Sequence, residues 1–432
     1  MVQLTPGAGK MYCGNCLRDN ALVTYWGRAG HQVCMVPIYL PLTLDEPDQS
    51  RNIPVFYGGI NIFLGHRIPW LWRFVPKSMR KLLDSRILLK TIGGKVSKTN
   101  AAEVGALTVS MLQGEHGRQQ RELQELTDWL QKEQKPDVVL FSNALLLGSH
   151  PRIKEMTEAK TVCFLTGEDA FLDRLPEPYR NQAWELVRTH VKQIDLLIAP
   201  SRYYAELMTE RLELSPQRIH VVYNGINTDG FAADTTTDAS AGTNQPPTLG
   251  YFARMSADKG LDVLIKAFIE IRQRGNLPTL KLKIGGNLNY WNEQWVELLK
   301  LKLLLAELTE EVSFHPNLDR AEKIQFLRSL DVLSVPAVSN EPFGFYVVEA
   351  QAAGVPVVLP EKSAFPELVE KTGGGVLYAP DDLSALVEAV EQLFADESKR
   401  RHLSVTGQKN ALEFFTVKRA AEEIMDLILG LS

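Results

Sequence analysis

The sequence predicts an α/β protein built as two doubly wound halves, each a parallel sheet covered by helices. Three observations predict it. Apolar runs of strand length alternate with helix-period stretches along the chain, the pattern of successive β-α-β units. The runs are apolar on both faces, as in "DVVLF" at 137–141, which suits strands buried between two helix layers. Residues 232–247, "AADTTTDASAGTNQPP", hold no apolar side chain larger than alanine, a linker composition that separates the two alternations.

The bulk properties agree. A chain of 432 residues is too long for one core, so two or three domains are expected. An apolar content of 45% with 23% charge is that of a soluble globular protein. A net charge of −5 and a pI near 6.0 exclude a general nucleic-acid binder, which carries a basic domain. No apolar run approaches the ~18 residues that cross a bilayer. The start, "MVQLTPGAGK", lacks the basic and apolar regions of a signal peptide, and a cytoplasmic protein is expected. Four cysteines are too few for a disulfide scaffold. Cys13 and Cys16 form a C-G-N-C, but one such pair without a second pair or nearby histidines is weak evidence for zinc. We read them as free thiols flanking a turn.

The first half, expected over residues 1–230, opens with the short strand "VQLT" and the turn "PGAGKMY". The phosphate loop of nucleotide triphosphatases would need glycine where Leu4 stands and Ser or Thr where Met11 stands. The dinucleotide fingerprint fails at Tyr12, although Gly7 and Gly9 are correctly spaced. A glycine-rich strand-to-helix turn from Gly7 to Gly14 remains. It either aims free N–H groups at an anion or is a tight turn without a ligand. A helix over 17–29, the run "HQVCMVPIYLP" and a helix over 118–134 follow, then the runs "PDVVLFSN", "KTVCFLTG", "DLLIAPS" and "RIHVVYNG". Residues 66–98 carry nine Lys or Arg against the single acid Asp84, interleaved with Trp70, Trp72 and Phe74. That composition suits a membrane interface, an acidic acceptor, or a solvated basic helix packed on the sheet.

The second half, expected over 248–413 after a linker at 231–247, runs through "TLGYFARM", "LKLKIGG", "EVSFHPN", "DVLSVPA", "VPVVLP" and "GGVLYA". An amphipathic helix over 414–432 is expected to pack back across the junction. Arg254 and Lys259 stand at a helix entrance beside Gly260. Two cations there oppose the helix dipole unless an anion lies between them; they are either solvated charges or, on a strand-to-helix loop of a doubly wound half, the ligands of a diphosphate. In "NEPFGFYVVEAQAAGVPVV", 340–358, Glu341 is expected just outside a helix over 343–353, with Pro342 at its first position. The N–H groups of Phe343, Gly344 and Phe345 would then lack intrahelical partners, and Gly344 would let a ligand approach them. Glu349, two turns in, is placed to accept hydrogen bonds from two adjacent hydroxyls, as on a ribose. The alternatives are a cap for Glu341 and a surface charge for Glu349. Uncompensated burial of Glu349 among Tyr346, Val348, Ala352 and Ala353 would be costly, and a polyhydroxyl ligand would relieve it.

Together, G-x-x-A-R-x4-K-G and E-P-F-G-F-x-x-x-E-A-x-A-x-G-x-P-V-V resemble the retaining glycosyltransferases of the glycosyl transferases group 1 type, related to glycogen and sucrose-phosphate synthases. The likeness covers most of 220–430, including "VVYNGINTDGF" and "SFHPNLDR", and reaches the first half more loosely through the glycine turn and "GRAGHQVCMVP". It implies a GT-B fold, two Rossmann-like domains facing a cleft, with the nucleotide-sugar donor held mainly by the second. By that resemblance Arg254 and Lys259 bind the donor diphosphate and Glu349 the ribose. Glu341 and the amides of Phe343, Gly344 and Phe345 hold the transferred sugar and its β-phosphate. Gly285, Gly286, Asn317 and Leu318 line the nucleoside, and Gly9 to Gly14 approach the diphosphate from the other domain.

The sequence departs from the family where many members carry a first-domain histidine facing the sugar. Here the segment reads "CFLTGEDAF", and Glu168 or Asp169 takes that place on the acceptor side. Lys10, beside the glycine turn, is a further candidate there or at the donor phosphate. The implied reaction is retaining, metal-independent glycosyl transfer from a nucleotide diphosphate sugar, with no cofactor beyond that donor. The acceptor, whether glycan, lipid or small molecule, stays open, as does peripheral contact with the inner face of a membrane through 66–98. Two rivals also stay open. A GT-B nucleotide-sugar 2-epimerase should lack the E-x7-E arrangement, and a catalytically silent nucleotide-sugar-binding protein would be consistent with the missing histidine.

Overall fold

The apolar runs form two parallel six-stranded sheets, one in each half of the chain. The structure, a computed structural model, describes residues 1–7, 9, 12–51, 53–57, 101–231 and 246–431. Lys10, the basic segment 66–98 and most of the linker at 231–247 lie outside the described residues.

The first sheet contains β1 (Val2–Thr5), β2 (Cys34–Pro37), β3 (Val138–Phe141), β4 (Lys160–Phe164), β5 (Leu196–Ala199) and β6 (Ile219–Val221). Their order is β2-β1-β3-β4-β5-β6. The short β1 is a central strand, buried at all four residues and paired with β2 on one side and β3 on the other. Chain direction across the sheet reverses between β1 and β3, so loops leaving their carboxyl ends diverge and open a crevice there.

The second sheet contains β7 (Thr248–Phe252), β8 (Lys281–Gly286), β9 (Val312–Pro316), β10 (Val332–Ser334), β11 (Val357–Pro360) and β12 (Gly375–Tyr378). Its order, β12-β11-β10-β7-β8-β9, is the dinucleotide-fold order, with the reversal between β7 and β10. The expected α/β class with two doubly wound sheets is borne out.

The chain divides into one unit of Met1–Tyr223 with Ala420–Ser432 and a second of Asn224–Arg419. Residues 224–230, read from sequence as the end of the first half, are held within the second unit. Ile226 N–H donates to the Phe415 carbonyl (2.8 Å), and Arg320 donates to the carbonyls of Asn227 and Asp229 (2.9 and 2.8 Å). The last helix, Val417–Leu429, belongs to the first unit from Ala420 onward. Ile424 and Ile428 enter a core with Leu22, Trp26, Leu140 and Phe164, and the buried Trp26 indole donates to the Ala421 carbonyl (3.0 Å). No helix among the described residues is long and apolar enough to cross a membrane.

Candidate functional site

The reversal between β7 and β10 carries the motif of the second half. Tyr251, fully buried near the end of β7, donates its hydroxyl to the Arg254 carbonyl (2.7 Å) and fixes the loop that presents Arg254. Ala257–Lys259 form one 3-10 turn, and Gly260, in the left-handed region at φ 71°, caps the helix Leu261–Arg274. A Cβ at Gly260 would lie 1.8 Å from the Pro336 carbonyl oxygen, so only glycine lets the β7 loop reach the β10 loop. The Asp258 carbonyl accepts from the N–H groups of Val338 and Ser339 (3.0 and 3.2 Å), tying the two loops together.

Within this frame Lys259 Nζ donates to Glu341 Oε2 at 2.5 Å, and the Tyr346 hydroxyl donates to the same oxygen at 2.8 Å. Burial, with the Glu341 charge beside it, pushes the Tyr346 hydroxyl well above its usual range and keeps it a donor. Arg254 pairs with Asp258 at 2.6 Å. Burial alone would raise the Asp258 carboxyl, but the Ser256 hydrogen bond and the Arg254 charge outweigh it and hold it below the usual range. Both cations at the helix entrance are therefore neutralised by carboxylates. The dipole argument for an anion in the site loses its force, since the protein itself supplies the counter-charge.

The helix after β10 begins later than its sequence suggests. It spans Phe345–Ala352, and Pro342 is not its first residue. Gly344 is its cap, at φ 96° and ψ 67°, a conformation closed to most residues with a side chain. The proline turn and the left-handed glycine together redirect the chain, so the free first-turn N–H groups start at Phe345. Phe343 and Gly344 belong to the turn that aims them.

Glu349 lies on this helix, and its carboxylate is compensated. Lys323 Nζ donates to Glu349 Oε1 at 2.7 Å, with side-chain exposures of 8% and 14%. The expectation that a polyhydroxyl ligand must relieve a buried, unpaired Glu349 is corrected by this ion pair. Lys323 was missed in sequence, although a signal existed. Asp319 and Glu322 form a reciprocal cap for the helix Arg320–Arg328, which places Lys323 on its first turn.

Gly285 and Gly286, at the end of β8, have a packing role. A Cβ on Gly285 would meet Phe326 and Phe252 at 2.8–2.9 Å, and one on Gly286, at φ 122°, would meet the Ala253 carbonyl oxygen at 1.9 Å. Asn317, itself left-handed at φ 57°, closes the same edge. Its side-chain oxygen accepts from Leu288 N–H and its amide donates to the Leu288 carbonyl, both at 3.1 Å. Leu318 follows, half-buried.

In the first unit the glycine turn is bound to the segment after β2. Gly7 is left-handed at φ 76°, and a Cβ there would fall 1.7 Å from the Leu40 carbonyl oxygen. Gly9 N–H donates to the Pro41 carbonyl (2.9 Å), and the Thr43 hydroxyl donates to the Gly9 carbonyl. Gly14 is the first residue of the helix Gly14–Arg28. Beneath it lies a buried network missed in sequence: Arg18 pairs with Asp19 at 2.6 Å, and Asp19 accepts from Thr5 at 2.8 Å. Asn15 donates to Thr166 (2.9 Å), linking this helix to the loop that carries Glu168 and Asp169.

Glu168 is buried and fully engaged. Its carboxylate accepts from the N–H groups of Ala144, Thr166 and Gly167 and from the Tyr204 hydroxyl. Burial raises its carboxyl above the usual range despite those donors. Asp169 accepts from the same hydroxyl at 2.9 Å. The structure gives both acids a role in holding the loop after β4.

Two parallel six-stranded sheets, each reversing its strand order at a central strand, match the GT-B class of the solved neighbours. The chain resembles HepE (Alr3699) of Anabaena in complex with UDP, with a TM-score of 0.66 at 16% identity over 99% of each chain. It likewise resembles sucrose-phosphate synthase of Thermosynechococcus elongatus, with a TM-score of 0.67 at 16% identity over 100% of this chain and 98% of that one. Residues 234–410 match the family model Glycosyl transferases group 1 and residues 100–229 match Glycosyltransferase Family 4, so each half of the chain carries a glycosyltransferase family match. Curated relatives include the D-inositol 3-phosphate glycosyltransferases of Xylanimonas cellulosilytica, 29% identical over 54% of this chain and 56% of that one, and Stackebrandtia nassauensis, 26% identical over 58% and 57%. The chain thus spans just over half the length of these relatives.

Proposed function

We propose that the protein transfers a glycosyl group from a nucleoside diphosphate sugar, with retention at the anomeric carbon, to an acceptor hydroxyl. The observation that carries this reading is the Lys259–Glu341–Tyr346 cluster at the β7/β10 reversal, with Arg254 on the adjoining loop. A donor diphosphate entering there draws Lys259 from Glu341 and Arg254 from Asp258, replacing carboxylate partners with phosphate oxygens. The freed Glu341 then accepts hydrogen bonds from sugar hydroxyls while Tyr346 holds it in place.

As the glycosidic bond breaks, negative charge builds on the departing diphosphate. Two cations and the first-turn amides beginning at Phe345 stabilise that charge in place. Attack by the acceptor on the face the diphosphate leaves gives retention without an enzyme nucleophile. Glu349, steadied by Lys323 through one oxygen, offers the other to a ribose. Both glutamates of E-x7-E are present and anchored, which favours transfer over the epimerase reading.

UDP is the first probe, because solved complexes of the structural neighbour HepE contain UDP and UDP-glucose. The test is calorimetric titration with UDP, GDP and ADP, then donor turnover with an acceptor panel. Inositol phosphates head that panel, following the relatives' names. A protein that binds no nucleoside diphosphate, or binds one and neither transfers nor hydrolyses any donor, would overturn the proposal.

A further inference from the structure

Cys13 and Cys16 have a geometry that the turn-flanking reading does not use. Leu17 N–H donates to the Cys13 carbonyl (3.0 Å), and Cys13 is extended at φ −124° and ψ 121°. Cys13 is thus the cap of the helix Gly14–Arg28, and Cys16 stands in its first turn. Three helical steps put their Cα atoms about 5 Å apart, inside the range that a disulfide spans without backbone movement.

Cys13 is half-buried and Cys16 fully buried. The neighbouring Cys16 thiol, with backbone N–H groups adding to it, lowers Cys13 to about 7 against the opposing effect of burial. The Cys13 sulfur beside it, with burial, pushes Cys16 well above its usual value. Cys13, the less buried of the two, is therefore the sulfur favoured as a thiolate, and Cys16 the one kept as a thiol. The remaining cysteines differ: burial pushes Cys34 up to about 11 and Cys163 well above its ordinary value. Cys16 shares a small apolar cluster with Val23, Met35 and Leu42, against which Cys13 and Leu44 pack.

We propose that Cys13 and Cys16 form a redox-active dithiol that reduces small disulfides, such as glutathione disulfide, while closing a Cys13–Cys16 bond. The Cys13 thiolate attacks one sulfur of glutathione disulfide, breaks its S–S bond and expels one glutathione thiolate. Cys16 then attacks the Cys13 sulfur of the mixed disulfide and releases the second glutathione. The two protein thiols supply the two electrons and two protons that turn one glutathione disulfide into two glutathiones. The attacking sulfur is at the dipole-favoured helix end and the resolving sulfur is one turn behind it.

The test uses the folded full chain. It is incubated near neutral pH with excess glutathione disulfide, denatured into N-ethylmaleimide and mapped by mass spectrometry. A Cys13–Cys16 disulfide is expected, reversible by dithiothreitol, with Cys34 and Cys163 recovered as maleimide adducts. The Cys16→Ser variant is expected to stop at a glutathione adduct on Cys13. Recovery of all four cysteines as free thiols, modification of Cys34 ahead of Cys13, or stoichiometric zinc held by the pair in the purified protein would overturn the proposal.

Discussion

Replacing Lys323 by methionine removes one charge from a pair whose members are almost enclosed. Lys323 Nζ lies 2.7 Å from Glu349, with side-chain exposures of 8% and 14%. Methionine keeps the length and apolar stem of the lysine and so preserves the packing. What changes is that Glu349 is left without its cation in a poorly solvated place. Breaking a buried pair costs about 3–5 kcal/mol. The remaining exposure lets Glu349 keep some water, which argues for the lower end, about 3 kcal/mol. For a unit the size of Asn224–Arg419, that is a fall in Tm of roughly 6–12 °C. The assay is a cycle of Lys323→Met, Glu349→Gln and the double variant, each followed by urea and thermal unfolding. The double variant should be less destabilised than the sum of the singles by about 2 kcal/mol, because each single strands a partner that the double removes. Single effects that add to within about 0.5 kcal/mol would refute the pairing as an energetic unit.

Lys259→Ala should lower kcat/KM with any competent donor about ten- to a hundredfold, the loss of charge-assisted bonds to phosphate worth about 1.5–3 kcal/mol; unchanged turnover would remove Lys259 from the site. Glu349→Gln should weaken nucleoside diphosphate binding, whereas Glu341→Gln should spare it and reduce transfer, and calorimetry giving both variants the same loss would defeat that division. Burial, with the charges of His190 and Lys154 adding to it, lowers His150 to about 4, and neither of its ring nitrogens has a hydrogen-bond partner among the described residues. Its folded value lies below its unfolded value of about 6.5, so the unfolded chain binds the proton first, and stability present above pH 6.5 falls by up to about 3 kcal/mol as pH drops toward 4. His150→Leu should flatten that acid limb of the urea midpoint, and parallel curves for variant and wild type would contradict the assignment. Cys13→Ser with Cys16→Ser should leave transfer by the reduced protein intact, and a loss of turnover with folding preserved would show that the thiols serve the reaction.

Local physics made much of the fold readable. Parallel strands buried on both faces must be apolar throughout, so "DVVLF" and "DVLSVPA" announce themselves, and β3 and β10 lie within them. The linker is legible because a chain without large apolar side chains has nothing to bury. The pairing of Lys259 with Glu341 was not legible, because it depends on which strands are neighbours. β7 and β10 are adjacent only through the reversal in strand order, and the two residues are 82 apart in sequence. Lys323 and Glu349 are hidden for the same reason. Pro342 misled in a different way. Proline favours the first helical position in general, but a left-handed glycine two residues later is a stronger stop, and the φ of Gly344 cannot be read from its name. Glu168 shows the limit of reading an acid by position, since the backbone donors that engage it come from a loop 24 residues upstream as well as its own.

The helix that closes the chain has a consequence for biosynthesis. On a ribosome, residues 1–223 emerge first, yet Leu22, Trp26, Leu140 and Phe164 share a core with Ile424 and Ile428. That wall of the first unit is supplied only after the whole second unit has been translated. Until then the nascent chain presents an apolar face that water disfavours and that other unfinished chains can meet. The Trp26 indole has no Ala421 carbonyl to bond until the last few turns of helix are made. Translation speed through the second unit, and chaperone cover during it, therefore bear on the yield of the first.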